Sequence, residues 1–184
     1  MKKLLERYTK EQVKKAKAVK AIFFDVDGVL TDGKIIYDGN GIEIKNFNVK
    51  DGQIISHLKK AGIYVGAISG RDSVVTANRA AELKLDFCHQ GIVDKASVVE
   101  KLAKHYKLKD KEIAYVGDDI IDLAPFKIAG LSVCPADAFD YIKDKVDLVS
   151  RYKGGEGVVR EVGDLVLAAK GELEKILKSW YGNF

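Results

Sequence analysis

The sequence predicts an α/β protein built on a doubly wound, Rossmann-like parallel sheet. Short runs rich in Ile, Val and aromatic residues alternate with segments of helical period along most of the chain. Acidic residues also collect just after those apolar runs, at the strand ends where ligands bind in such sheets.

Taken in order, residues 3–18, within an N-terminal segment 1–19, read as a helix with Leu4, Leu5, Tyr8, Val13 and Ala16 as its apolar stripe. "AIFF" (21–24) is the first buried strand. Residues 33–49 break the pattern. "KIIYD", "GNG" and "IEIKNFNV" alternate around a turn, as a β-hairpin does. "DGNGIE" is no calcium loop, because Ile42 takes a position that must supply a ligand. Helices then follow at 51–61, 73–84, 95–107 and 119–129, and strands at 63–68, 112–116 and 131–133. A helix and a short strand fill the space between Ser69 and Lys95. One domain is expected over residues 1–184, with 172–184 as a C-terminal tail.

At 184 residues and 47% hydrophobic, the chain can bury one sizeable core. Its net charge of +4 is mild and concentrated at the front, where eight Lys/Arg in residues 1–20 face only Glu6 and Glu11. That basic stretch has little aromatic interleaving, so no nucleic-acid or membrane partner is expected. No apolar run is long enough for a membrane span or a secretory signal. Cys88 and Cys134, 46 positions apart, suit a reducing compartment, and a cytoplasmic location is expected. His57, His89 and His105 lack metal-ligand spacing. "KGGEG" (153–157) reads either as an anion-binding nest or as a plain loop before a helix.

The chemistry-bearing residues share one rim. Asp25 and Asp27 follow strand 21–24, Ser69, Gly70 and Arg71 follow 63–68, and Asp118 and Asp119 follow 112–116, with Asp122 one helical turn on. Such a set of acids needs a cation, and hard carboxylate oxygens suit Mg²⁺. Lys95 opens a helix, where the backbone dipole disfavours a lysine unless an anion comes to it. Ser69 and the N–H groups of Gly70 and Arg71 also suit an anion. Together they describe a site for a phosphate dianion.

"DVDGVLTDG", "ISGR", "GIVDK" and "GDDIID", in that order, resemble the four motifs of the haloacid dehalogenase-like hydrolases. The resemblance implies Asp25 as nucleophile, forming an aspartyl-phosphate, and Asp27 as the acid and base that serves it. It implies Mg²⁺ held by Asp25, the main-chain carbonyl of Asp27 and Asp118, with Asp119 or Asp122 behind. Ser69 and Lys95 would bind the phosphoryl oxygens. Members with caps insert them between these motifs. Here Asp27 and Ser69 are 42 residues apart and Ser69 and Lys95 26, which leaves no room for one.

The hairpin and the ending "GGEGVVREVGDLVLAAKG" (154–171) resemble those of the 3-deoxy-D-manno-octulosonate 8-phosphate (KDO 8-phosphate) phosphatases. This implies a phosphorylated sugar-acid substrate, lipopolysaccharide precursor synthesis and a homotetramer assembled through the hairpins, in which a neighbour closes the site. Arg71, Arg79 and the segment Asn48, Val49, Lys50, Asp51 and Gly52 match positions that meet the sugar acid. Where that family commonly reads "NVRDGxGIR", this chain reads "NVKDGQIIS". Lys50 keeps the charge without the bidentate fork, and Ser56 removes a charge. A 9-phosphorylated nonulosonate is therefore the alternative substrate, and a non-catalytic assembly domain is a third possibility. A receiver domain is excluded by the order of the acids, with "DVD" first and "GDD" late.

Overall fold

The computed structural model describes residues 2–182. Helices α1 (Lys2–Leu5) and α2 (Lys10–Ala18) precede β1 (Ala21–Phe24), and the hairpin strands are β2 (Ile36–Tyr37) and β3 (Glu43–Ile44). The chain continues through α3 (Val49–Lys60), β4 (Tyr64–Ile68), α4 (Val74–Glu82), β5 (Phe87–His89), α5 (Lys95–His105) and β6 (Ile113–Val116). It ends with α6 (Leu123–Ile128), β7 (Leu131–Cys134), α7 (Asp140–Lys143), β8 (Leu148–Val149), α8 (Val158–Ala169) and α9 (Glu172–Tyr181). Six strands pair in parallel in the order β5-β4-β1-β6-β7-β8, while β2 and β3 form a separate antiparallel pair. Strand order reverses at β1, so the crevice beyond β1 and its neighbours β4 and β6 is the topological switch point.

Both faces of the sheet are covered, and the strand residues alternate accordingly. Ile22 and Phe24 point into a core with residues of α2, α3 and α8. Ala21, Phe23 and Tyr115 point into the opposite core with residues of α5, α6 and α7. Gly66 of β4 lies against Phe87, whose ring a Cβ would meet at 2.5 Å. That glycine lets the Phe23–Phe87 edge-to-face pair form, with ring centres 4.9 Å apart.

Three expectations need correction. The N-terminal helix is split, because Thr9 starts a new one. Its hydroxyl accepts from the Gln12 N–H at 3.2 Å, and the Gln12 side chain accepts from the Thr9 N–H at 2.9 Å. This reciprocal cap outweighs the continuous apolar stripe. Second, the stretch read as a tail from 172 folds as α9, packing Leu173 against the core, after Gly171 turns the chain at φ +75°. Asn183 and Phe184 of that stretch lie outside the described residues. Third, the two-residue strand β8 was not foreseen, since it is too short to show a period.

Candidate active site

The carboxyl ends of β1, β4 and β6 surround a cleft of about 240 Å³ lined by Asp25, Asp27, Gly33, Ser69, Gly70, Arg71, Asp118, Asp119 and Ile121. Beneath it sits a buried charge cluster. Lys95 at the first position of α5 is 1% exposed, and its ammonium lies 2.7 Å from Asp25 Oδ2 and 2.8 Å from Asp122 Oδ1. The anions that bring a lysine to this helix start are therefore the protein's own. They hold the ammonium ionised: burial pulls its pKa down, but Asp25 and Asp122 together push it above the ordinary value.

Asp122, fully buried, accepts four hydrogen bonds. Lys95 and the Tyr115 hydroxyl (2.7 Å) donate to Oδ1, and the N–H groups of Asp118 (3.0 Å) and Asp119 (3.3 Å) donate to Oδ2. Its oxygens are thus occupied in holding the loop. Tyr115 was not anticipated; its hydroxyl pKa is raised well above the ordinary value by burial and by the neighbouring acids.

Asp25, Asp118 and Asp122 present carboxylate oxygens within 4.8 Å of one another. Asp25 Oδ1 accepts from the Val26 N–H at 2.7 Å. Burial, then the charge of Asp122, raises the Asp25 carboxyl to about 6, with Lys95 opposing. Asp118 stands at about 8, raised by burial and by Asp25 and Asp122. Its Oδ1 is buried without a hydrogen-bond partner among the described residues. Gly28, at φ +85°, makes room for Asp118, since a Cβ there would fall 2.0 Å from Oδ2. Hard oxygens, an orphaned buried oxygen and two acids with raised pKa values fit a divalent cation.

Ser69 is buried, with its Oγ accepting from the Arg71 N–H at 3.3 Å. Asp119 caps the turn after it, accepting from the Ile120 N–H at 2.7 Å. Asp27 contacts Lys45 through Oδ1, which also faces the Thr31 hydroxyl at 3.4 Å, and Arg71 Nη1 lies 3.7 Å from Oδ2. Glu43 accepts from Arg71 Nη2 at 2.9 Å. Lys45 and Glu43 are hairpin residues that the sequence reading had not placed at the site. Their alternation with Ile42 and Ile44 signals a shared face, without saying what that face meets.

The structure does not bring the other expected sugar contacts to this cleft. Asn48 caps α3, accepting from the Lys50 N–H at 2.9 Å and donating to the Gly155 carbonyl at 3.2 Å. Val49 and Lys50 are exposed in the first turn of α3. Asp51 is buried and accepts from the Arg160 N–H at 2.6 Å, capping α8. Arg79 sits at Gly52, pairs with Glu82 at 2.8 Å and covers the Phe47 ring at 5.6 Å. In the glycine loop, the Gly154 N–H donates to Asp137 and the Gly155 N–H to the Val29 carbonyl, each at 3.0 Å. One N–H is spent on Asp137 and the other on Val29, so the loop is not a free anion nest.

A doubly wound sheet with this cluster at its switch point defines a haloacid dehalogenase-like hydrolase, and the family of that description matches residues 85–162. A KDO 8-phosphate phosphatase, KdsC, from Haemophilus influenzae is 41% identical over 86% of this chain and 88% of its own length. The enzyme of the same name from Escherichia coli K12 is 39% identical over 89% of this chain and 87% of its own length. The KDO 8-phosphate phosphatase of Moraxella catarrhalis, solved with magnesium, phosphate and KDO, superposes with TM-score 0.91 at 35% identity, over 94% of this chain and 99% of that one. The cobalt-bound H. influenzae enzyme gives 0.82 at 41% identity, over 85% and 92%. The chain belongs to the KDO 8-phosphate phosphatase family of haloacid dehalogenase-like hydrolases.

Proposed function

We propose that this chain is a Mg²⁺-dependent phosphomonoesterase that hydrolyses KDO 8-phosphate to KDO and phosphate. The observation that carries the reading is the buried cluster of Asp25, Lys95, Asp118 and Asp122 beneath a cleft with Ser69 and Arg71 at its wall. The kinship with enzymes of that name supports the substrate.

Asp25 is the nucleophile. One of its oxygens bonds to phosphorus as the bond from phosphorus to the sugar oxygen breaks, and Asp27 gives that oxygen its proton. Asp27, now a carboxylate, takes a proton from water as the water oxygen bonds to phosphorus and the Asp25–phosphorus bond breaks. The balance is ester plus water to alcohol plus phosphate, with both acids restored. Lys95 holds Asp25 ionised and oriented, Ser69 and the N–H groups of Gly70 and Arg71 receive phosphoryl oxygens, and Asp122 fixes the loop bearing Asp118. Asp25, Asp118 and the Asp27 carbonyl would hold Mg²⁺, backed by Asp119 and Asp122. When bound, it offsets the charge by which these acids repel an anionic substrate.

The cleft is small beside the roughly 300–1,000 Å³ of usual ligand pockets. A homotetramer would supply the missing wall, and Asn48, Val49, Lys50, Gly52 and Arg79 are candidates for contact with sugar across such an interface, whereas Asp51 is buried as the cap of α8. The hairpin exposes Ile35, Tyr37 and Ile42 at 57–61%, which suits a subunit contact. A cytoplasmic place in lipopolysaccharide precursor synthesis follows from the substrate. Lys50 and Ser56, standing where relatives commonly carry arginines, favour a second reading, a 9-phosphorylated nonulosonate as substrate.

Phosphate release with Mg²⁺ from both sugars tests the reading. A higher kcat/KM for KDO 8-phosphate is expected, with Asp25→Asn and Asp27→Asn folded and inactive. Preference for the 9-phosphate would replace the substrate. Near-normal turnover by either variant would overturn the mechanism.

A further inference from the structure

The hairpin reaches back into the reaction centre. Ile42 and Ile44 face outward, 61% and 44% exposed, whereas Glu43 and Lys45 turn under. The Lys45 side chain is 1% exposed; its ammonium contacts Asp27 Oδ1 and lies 3.6 Å from Glu43 Oε1. Glu43 is itself held from both ends, by Arg71 at 2.9 Å and by the hydroxyl of Ser73, which caps α4. Arg71 closes the circuit at 3.7 Å from Asp27 Oδ2.

A lysine this deeply buried is costly unless carboxylates compensate it, and here they are Asp27 and Glu43. A latch for the hairpin would need only Glu43, Arg71 and Ser73. The contact with Asp27 does something more specific. Asp27 Oδ1 is occupied by Lys45 and faces Thr31, while Oδ2 has no hydrogen-bond partner among the described residues. One oxygen is anchored and the other is left for the proton.

We propose that Lys45 is a positioning residue: it anchors the Asp27 carboxylate through Oδ1 so that Oδ2 carries the proton to the leaving oxygen and from the attacking water. Glu43 keeps Lys45 and Arg71 in place around it. The proposal rests on the acid/base role of Asp27, and it makes the hairpin part of the catalytic apparatus of its own chain.

The test exploits the leaving group. A sugar alkoxide needs a proton as it departs, whereas p-nitrophenolate leaves without one. For wild type and Lys45→Met, steady-state turnover of the sugar phosphate and the first-turnover rate of p-nitrophenolate release are compared. Lys45→Met is expected to lose on the order of 10²-fold in sugar-phosphate kcat, the lower range of general acid–base catalysis, with nitrophenolate release within about threefold of wild type. Lys45→Arg, which keeps a donor at Oδ1, should recover most of the loss. If Lys45→Met does not fold, Lys45→Gln is read by the same two rates. Equal losses with both leaving groups would reduce Lys45 to a latch, and an unchanged kcat would remove it from the site; either overturns the proposal. A wild type inactive on both phosphates would instead sink the phosphatase reading.

Discussion

Metal-free protein should become less stable as pH rises from about 4 to 8, and Asp118→Asn should abolish much of that loss. The Asp118 carboxyl stands at about 8 against an ordinary 3.8, raised by burial and by Asp25 and Asp122. Between those two values the unfolded chain has released a proton that the folded one keeps, so unfolding becomes more favourable with pH. At about 1.36 kcal/mol per pH unit the full penalty is on the order of 5 kcal/mol, reached above pH 8. At pH 5 it is below about 2 kcal/mol by the same relation. Asparagine removes the charge but leaves a buried amide short of partners, at a cost of about 1–3 kcal/mol. The net gain at pH 8 is then about 2–4 kcal/mol, or roughly 4–16 °C in Tm for a chain of this size. The assay is thermal unfolding in a chelating buffer at pH 5, 6.5 and 8, repeated with Mg²⁺. Wild type should gain stability from Mg²⁺ by mass action, most at pH 8, and Asp118→Asn far less. Parallel pH profiles for the two proteins would refute the claim that these acids are held in mutual repulsion.

Two further outcomes follow from the geometry. Gly28→Ala places a methyl 2.0 Å from Asp118 Oδ2 in a left-handed backbone conformation, so the Mg²⁺ concentration for half-maximal activity should rise tenfold or more, on the order of 1–3 kcal/mol of strain. An unchanged Mg²⁺ titration would show that the loop adapts. Asp51→Ala removes the cap on α8 and should lower stability by about 0.5–2 kcal/mol in denaturant melts, with KM little changed. A large rise in KM at unaltered stability would return Asp51 to substrate binding.

The sequence by itself determined the strands other than β8, most of the helices and the rim on which the acids lie. Those features rest on local signals: β1 is a run of four buried apolar residues, and its alternation sends Ile22 and Phe24 to one core and Ala21 and Phe23 to the other. Asp25, Ser69 and Asp118 could be placed because each follows within two residues of such a strand. Tertiary structure alone decided what those side chains touch. Lys95 and Asp122 are 27 residues apart, and their 2.8 Å contact exists only because α5 and the loop after β6 pack together. Asp51 reads as the first residue of a helix and part of a substrate motif, yet it accepts from an N–H 109 residues later and caps α8. Lys45 is the sharpest case. Its period placed it opposite Ile44, and only the folding of the hairpin onto β1's loop turned that face toward Asp27. Periodicity assigns a residue to a side of its own element; the surface that side meets is set by long-range packing, which no local pattern encodes.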